Sequence, residues 1–146
     1  MRARPAFLLA CAAVTVAAGC GSGREQDAST VAEHFYSAVA AKDGSAACAQ
    51  LSEETVSKLE SEEKASCSDA VLELELEVPG GRERSVDVYL TTAKVDLSGG
   101  DSVFLDQTGT GWRISAPGCR PQPGEEKPYD CEIEARCDRP SCSSWR

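Results

Sequence analysis

The chain has 146 residues, 27% of them charged, and a formal net charge of −9 at pH 7. Such a length is enough for one domain. With 24 Asp and Glu against 15 Lys and Arg, the chain is repelled by nucleic acid and by anionic lipid headgroups. The acidity therefore indicates either a solvated surface beside a negatively charged envelope or a face that binds cations or basic partners.

The N-terminal residues have the parts of an export signal. Arg2 and Arg4 precede an apolar segment, 6–18, which as a helix reaches only about 20 Å, short of the ~30 Å hydrocarbon core of a bilayer. The sequence Ala-Ala-Gly-Cys over 17–20 follows directly. This order is typical of a bacterial lipoprotein signal, in which the thiol of Cys20 is lipidated and becomes the mature N-terminus.

Cysteine parity supports the same interpretation. The chain has eight cysteines. Because Cys11 lies in the segment that would be removed, seven remain, and an odd number of cysteines in an exported chain needs an explanation. Lipidation of Cys20 leaves six to pair, whereas the alternative, an ordinary secretory signal cut near Gly19, leaves Cys20 as an incidental thiol. We expect a signal peptide over 1–19, a lipidated and flexible tether over 20–28, and an extracytoplasmic location on the cell membrane.

Six cysteines in an exported domain predict disulfides rather than zinc ligands. No two of them have the short Cys-x-x-Cys spacing of structural zinc sites, and His34 is the only histidine. The sequence therefore predicts neither a metal nor a cofactor. Proximity along the chain favours the pairs Cys48–Cys67, Cys119–Cys131 and Cys137–Cys142. The last pair closes a very small loop, so an exchange with Cys131 stays open.

Helical spacing of apolar residues precedes alternating spacing along the chain. Ser29 or Thr30 is expected to cap a first helix that ends at Asp43-Gly44. Short helices are expected over 45–51, from 52, and over 66–72. Period-two patterns then predict strands over 72–78, 85–97, 103–105, 112–115 and 131–135, with turns at 98–101 and 108–111. The order predicts an α+β domain over 29–136, with N-terminal helices packed on a curved antiparallel sheet, and a polar tail over 137–146.

Several segments together carry a resemblance to a known family. They are the helix 31–42 with Asp43-Gly44, the segment 47–52 with Cys67 downstream, and the segments 103–105, 111–119 and 129–132. Over about residues 30–135 the chain resembles small actinobacterial lipoproteins with a nuclear-transport-factor-2-like, cystatin-like α+β cone. The resemblance implies a sheet wrapped around helices, with an open end that often holds a small ligand. It carries no catalytic residue.

Candidate catalytic residues are few. Enzymes with the cone fold use an Asp base or an Asp–His dyad, so His34 would be the histidine, with Asp106 or Asp130 as loose acid candidates. Trp112 is expected to be a core anchor rather than a ligand platform. No nucleophile motif or phosphate-binding loop is present.

The functional expectation follows from these features. We expect a membrane-anchored, non-enzymatic module that binds a small apolar ligand or an envelope protein, and no nucleic acid. The alternative is a cone-fold enzyme of isomerase or dehydratase type that acts on an apolar small molecule. A pocket lined by His34 and a carboxylate would favour the enzyme, and a filled cone would favour the binding module.

Overall fold

The computed structural model describes residues 22–76, 83–123 and 128–135. Its helices are α1 (Ser22–Ala40), α2 (Gly44–Cys48), α3 (Glu53–Glu63) and α4 (Cys67–Ala70). Its strands are β1 (Glu83–Tyr89), β2 (Thr92–Leu97), β3 (Ser102–Thr108), β4 (Gly111–Pro121) and β5 (Tyr129–Cys131). The strands form one antiparallel sheet in chain order. The α+β class and the meander are therefore confirmed, whereas 1–19, Cys20 and the tail with Cys137–Cys142 lie outside the described residues.

Helix α1 begins earlier than the sequence predicts. It starts at Ser22, and Ala28 and Ser29 are already buried. The hydroxyl of Thr30 donates to the carbonyl of Gln26 at 2.8 Å, so this residue lies inside the helix and does not cap it. A flexible tether over 20–28 is therefore wrong for the described part of that range, because core contacts extend the helix beyond the apolar stripe.

Helices α2 and α4 pack closely and are joined by a disulfide. The Asp43 side chain caps α2 by accepting from the Ala46 amide at 3.0 Å. Gly44 is buried against the Ser68 backbone, where a side chain would collide with the carbonyl oxygen. The predicted pair Cys48–Cys67 is confirmed. Two very short helices thus hold each other in place.

Three predicted strands differ from the structure, at 72–78, 85–97 and 131–135. The segment 85–97 forms two strands, because a turn at 89–92 separates β1 from β2. Within 72–76 the leucines are half-buried and the glutamates exposed, but these residues form turn and coil. The alternation correctly reports which side chains face the core, yet it does not supply a neighbouring strand for a hydrogen-bonded ladder. The last strand lies at 129–131 instead of 131–135, because pairing with β4 ends at Cys131.

The free edge of β4 is covered by the connection between α2 and α3. The Ile114 amide donates to the Gln50 carbonyl at 2.9 Å, and the Ser52 amide donates to the Ile114 carbonyl at 2.8 Å. The Thr55 hydroxyl also donates to the Ser115 carbonyl at 3.0 Å. Since β5 pairs only with the last residues of β4, this connection satisfies backbone groups that would otherwise form an open sheet edge.

The two faces of the sheet have different roles. The inner face packs on the helices, and its core contains Phe35, Leu59, Val71, Val95, Val103, Leu105 and Ile114, all less than 2% exposed. The outer face has only a small cluster, made of Phe104, Ala116 and Cys119 with Tyr129 and Cys131 beside it. Among the described residues, buried side chains thus pack against the inner face, where the resemblance implies an open cone.

Candidate binding cleft

An open cleft of about 520 Å³ lies on the outer face of the sheet. Its walls come from every strand. They are Ser85, Lys94, Asp96, Leu97, Gly100, Ser102, Pro121 and Tyr129. The register brings these side chains together, because Asp96 of β2 faces Ser85 of β1 and Ser102 of β3. The strand turn at 98–101, correctly predicted from its glycines, closes one end of the cleft.

The centre of the cleft is a hydrogen-bonded ion pair. Asp96 accepts from the Ser102 hydroxyl at 2.7 Å and from the Ser85 hydroxyl at 2.9 Å. The Lys94 ammonium lies 3.1 Å from Asp96 and 3.5 Å from Asp87. Lys94 therefore lies between the Asp96 carboxylate in the cleft and the largely exposed Asp87 carboxylate beside the cleft.

Hydrogen bonding outweighs desolvation for both members of this pair. Partial burial opposes the charge of Asp96, but the Ser102, Ser85 and Lys94 donors lower its pKa below the usual value. Partial burial likewise opposes the charge of Lys94, but Asp96 raises its pKa above the usual value. Both groups consequently keep their charges across the neutral range.

An aromatic wall and a disulfide complete the cleft. The Tyr129 ring meets the Phe104 ring edge-on, with centroids 5.0 Å apart. Two residues after Tyr129 lies the predicted disulfide, since Cys119 and Cys131 are directly opposite in the β4–β5 ladder and are bonded. A strand as short as β5 is marginal alone, so this bond holds the Tyr129 ring in position.

Arg120 ties the segments around this end of the sheet together. Its guanidinium lies 3.2 Å from the Asp101 carboxylate and 3.1 Å from the Glu132 carboxylate. It also donates to the Glu75 carbonyl at 3.0 Å. Since Asp101 is only 2% exposed, its charge needs such a partner. The arrangement fixes the turn beside the cleft.

The structure does not bring the sequence-predicted catalytic candidates together. His34 is exposed on α1, which packs on the inner face. Asp106 lies on the outer face opposite Arg113, where burial raises its pKa against a hydrogen bond from Ser115 that lowers it. Asp130 is exposed on β5. The sheet separates His34 from Asp106, and none of the three candidates lines the cleft.

Trp112 is a core residue, as predicted. Its side chain is 4% exposed and belongs to the inner-face core. The Arg24 guanidinium lies over the indole, 5.5 Å from its centroid. This contact places the first turn of α1 against the sheet.

Sequence reasoning missed the residues of the cleft. Lys94, Asp96 and Tyr129 form no motif along the chain, because the cleft depends on strand register and on the return of β5. The signal that could have found Lys94 and Asp96 is the pair of charged residues that alternates with buried apolar residues on a central strand, next to a Gly-Gly turn.

The described residues contain neither a metal-binding cluster nor a membrane-spanning helix. Within 22–76, 83–123 and 128–135, no cluster of three or more His, Cys, Asp or Glu side chains is arranged to hold a metal ion. In the same ranges no helix is both long and apolar enough to cross a membrane. No protein-family model, curated protein or solved structure matches the chain.

Proposed function

We propose that this chain is a lipid-anchored, extracytoplasmic binding module that takes a small polar ligand in its outer-face cleft. The observation that carries the proposal is the contrast between the two faces. The inner face is filled by buried side chains, whereas the outer face offers an open cleft with a preformed Lys94–Asp96 pair.

The anchor is supported by the sequence before the fold begins. The Ala-Ala-Gly-Cys order over 17–20 follows a short apolar segment. Four cysteines are paired in the described domain, so Cys20 is not needed for either of its disulfides. A diacylglyceryl group at Cys20 would hold the domain at a membrane, since two acyl chains anchor stably where one does not.

The chemistry of the cleft favours a ligand that carries a cation and a ring. Asp96 in the cleft and the exposed Asp87 beside the cleft both face the single Lys94 ammonium, so the charges of these three side chains sum to a negative value that favours an additional cation. The Tyr129 ring and Pro121 offer an apolar wall beside it. This chemistry differs from the apolar ligand expected from the sequence, because most of the side chains that line the cleft are polar.

Binding is the better supported role than catalysis. The Asp–His dyad of cone-fold enzymes would require His34, which lies on the far side of the sheet from Asp106. The carboxylate in the cleft, Asp96, has its oxygens occupied by two hydroxyl groups and an ammonium. A lowered pKa makes it a poor proton acceptor, which suits recognition of a cation.

The test adds a small ligand in increasing concentration to the full chain carrying Cys20→Ser, and the backbone amide shifts are measured by NMR at each concentration. The probes are benzylamine and benzoate, which share a ring and differ in charge. We expect benzylamine to shift the amides of Gly100, Ser102 and Tyr129 with a Kd in the mM range, roughly 0.5 kcal/mol per non-hydrogen atom and within the bound for so small a ligand, and benzoate to shift them much less.

A matched pair of variants makes this test specific. Asp96→Asn should weaken benzylamine binding several-fold, whereas Asp130→Asn, next to Tyr129 on β5 but outside the cleft, should not. Equal responses to both probes, or an unchanged Kd in Asp96→Asn, would contradict the proposed site.

A further inference from the structure

The turn between β1 and β2 exposes two large apolar side chains. Tyr89 and Leu90 are each 72% exposed. Leu90 has a φ of +52°, a conformation for which two-residue turns favour Gly or Asn. The chain therefore keeps a leucine at a turn position where it is unfavourable for local structure and contributes little to the core.

The strand turns at the same end of the sheet as Tyr89 and Leu90 contain no charged side chains. The strand turns at this end are formed by residues 89–92 and 107–111, and neither contains Asp, Glu, Lys or Arg. The opposite end, in contrast, carries the ion pairs of Asp96, Asp101 and Arg120. In a chain with 27% charged residues, the difference distinguishes the end of the sheet whose strand turns carry no charge from the end with the ion pairs.

Helix α1 begins at the end of the sheet whose strand turns carry no charge. The Arg24 guanidinium donates to the Leu90 carbonyl and, at 2.9 Å, to the Gln107 amide oxygen, and it lies over the Trp112 ring. The start of α1 is thereby fastened to both turns. Cys20 precedes Ser22 by two residues, so the thiol that would carry the lipid is within about 7 Å of chain length from the helix.

We propose that the tip formed by Tyr89 and Leu90 enters the headgroup region of the bilayer that holds the anchor, and so fixes the orientation of the domain. This proposal rests on lipidation of Cys20. With the anchor so short and α1 joined to the tip, the tip is held at the membrane surface. An aromatic and an aliphatic side chain suit that region, and the Arg24 guanidinium that donates to the Leu90 carbonyl suits the level of the headgroups. The cleft, toward the other end of the sheet, then faces away from the membrane.

The acidic residues limit how deeply the domain inserts. Glu25 and Asp27 are exposed on the first turns of α1, close to the same end. Their charges favour water over hydrocarbon, so contact is confined to the tip. The orientation also keeps the acidic body of the domain away from anionic headgroups.

The experiment measures fluorescence of the lipidated full chain in phosphatidylcholine vesicles with or without brominated acyl chains. In a Trp145→Phe parent, Leu90→Trp places a reporter at the tip, and Ser98→Trp places one in the turn at the opposite end. Tyr89→Trp is a second tip reporter should Leu90→Trp fold poorly. The buried Trp112 is present in every variant, so the fluorescence of the parent is subtracted from that of each reporter variant.

We expect about twofold lower emission from the tip reporter in brominated vesicles, as for a ring at the boundary of headgroups and acyl chains, and no loss from Ser98→Trp. Fatty-acid labelling of the same preparation separates the two proposals. A labelled chain with equal quenching at both turns overturns membrane contact alone, and a blue shift without bromine quenching does the same and points to a protein partner at the tip. An unlabelled Cys20 overturns the anchor and the contact together.

Discussion

Gly44→Ala is expected to destabilise the domain by about 3 kcal/mol, the upper end of the range for overpacked sites. A Cβ atom at this position would lie 1.8 Å from the Ser68 carbonyl oxygen, so the backbones of α2 and α4 would have to separate. The Cys48–Cys67 disulfide resists that separation. Chemical denaturation of the full chain carrying Cys20→Ser measures the effect.

Gly109→Ala is the matched control for this prediction. It makes the same chemical change in the turn between β3 and β4, where an added Cβ meets nothing within 4 Å. Its effect should stay within about 0.5 kcal/mol, as for most surface substitutions. A similar free energy of unfolding for the two variants would show that the close approach of α2 and α4 is not present in solution.

Replacing both Cys48 and Cys67 by Ser is expected to lower the free energy of unfolding by about 3 kcal/mol. The disulfide closes a loop with a sequence separation of 19 residues, for which the loss of unfolded-state entropy has that magnitude. The two helices it joins are only five and four residues long, so they have little stability without tertiary contacts.

The effects of Gly44→Ala and of removing the Cys48–Cys67 disulfide on the free energy of unfolding should also be coupled. Without the disulfide, α2 can move away from α4 and relieve the collision, so Gly44→Ala should cost at least about 1 kcal/mol less in the Cys48→Ser/Cys67→Ser chain. Denaturation of the four chains of this cycle measures the coupling. Strict additivity would mean that the disulfide does not hold the two helices at their observed distance.

The features that were predictable from the sequence are those that depend on local signals. Gly-rich turns at 98–101 and 108–111 specify the register of the β2–β3 and β3–β4 hairpins. The two disulfides within the described domain follow from proximity along the chain. The buried stripe of α1 follows from the spacing of Phe35 and its neighbours. Each of these signals acts between residues that are close in sequence.

The features that were not predictable depend on contacts between distant segments. The turn at Leu90 has no Gly or Asn to mark it, since the Arg24 side chain from the start of α1 binds its carbonyl instead. The segment 72–76 has the alternation of a strand but no strand to pair with. The cleft needs β5 to return beside β4 before Tyr129 can meet Lys94 and Asp96, and no local pattern indicates that return.

The most direct test of the account is the mass of the N-terminal peptide of the chain isolated from bacterial membranes. We expect a peptide that begins at Cys20 and carries a diacylglyceryl group, with further acylation where the host adds it. Cys20→Ser should move the chain out of the membrane fraction while both disulfides, Cys48–Cys67 and Cys119–Cys131, remain. A wild-type chain with an unmodified Cys20, or one that leaves the membrane at low ionic strength, would contradict the lipid anchor.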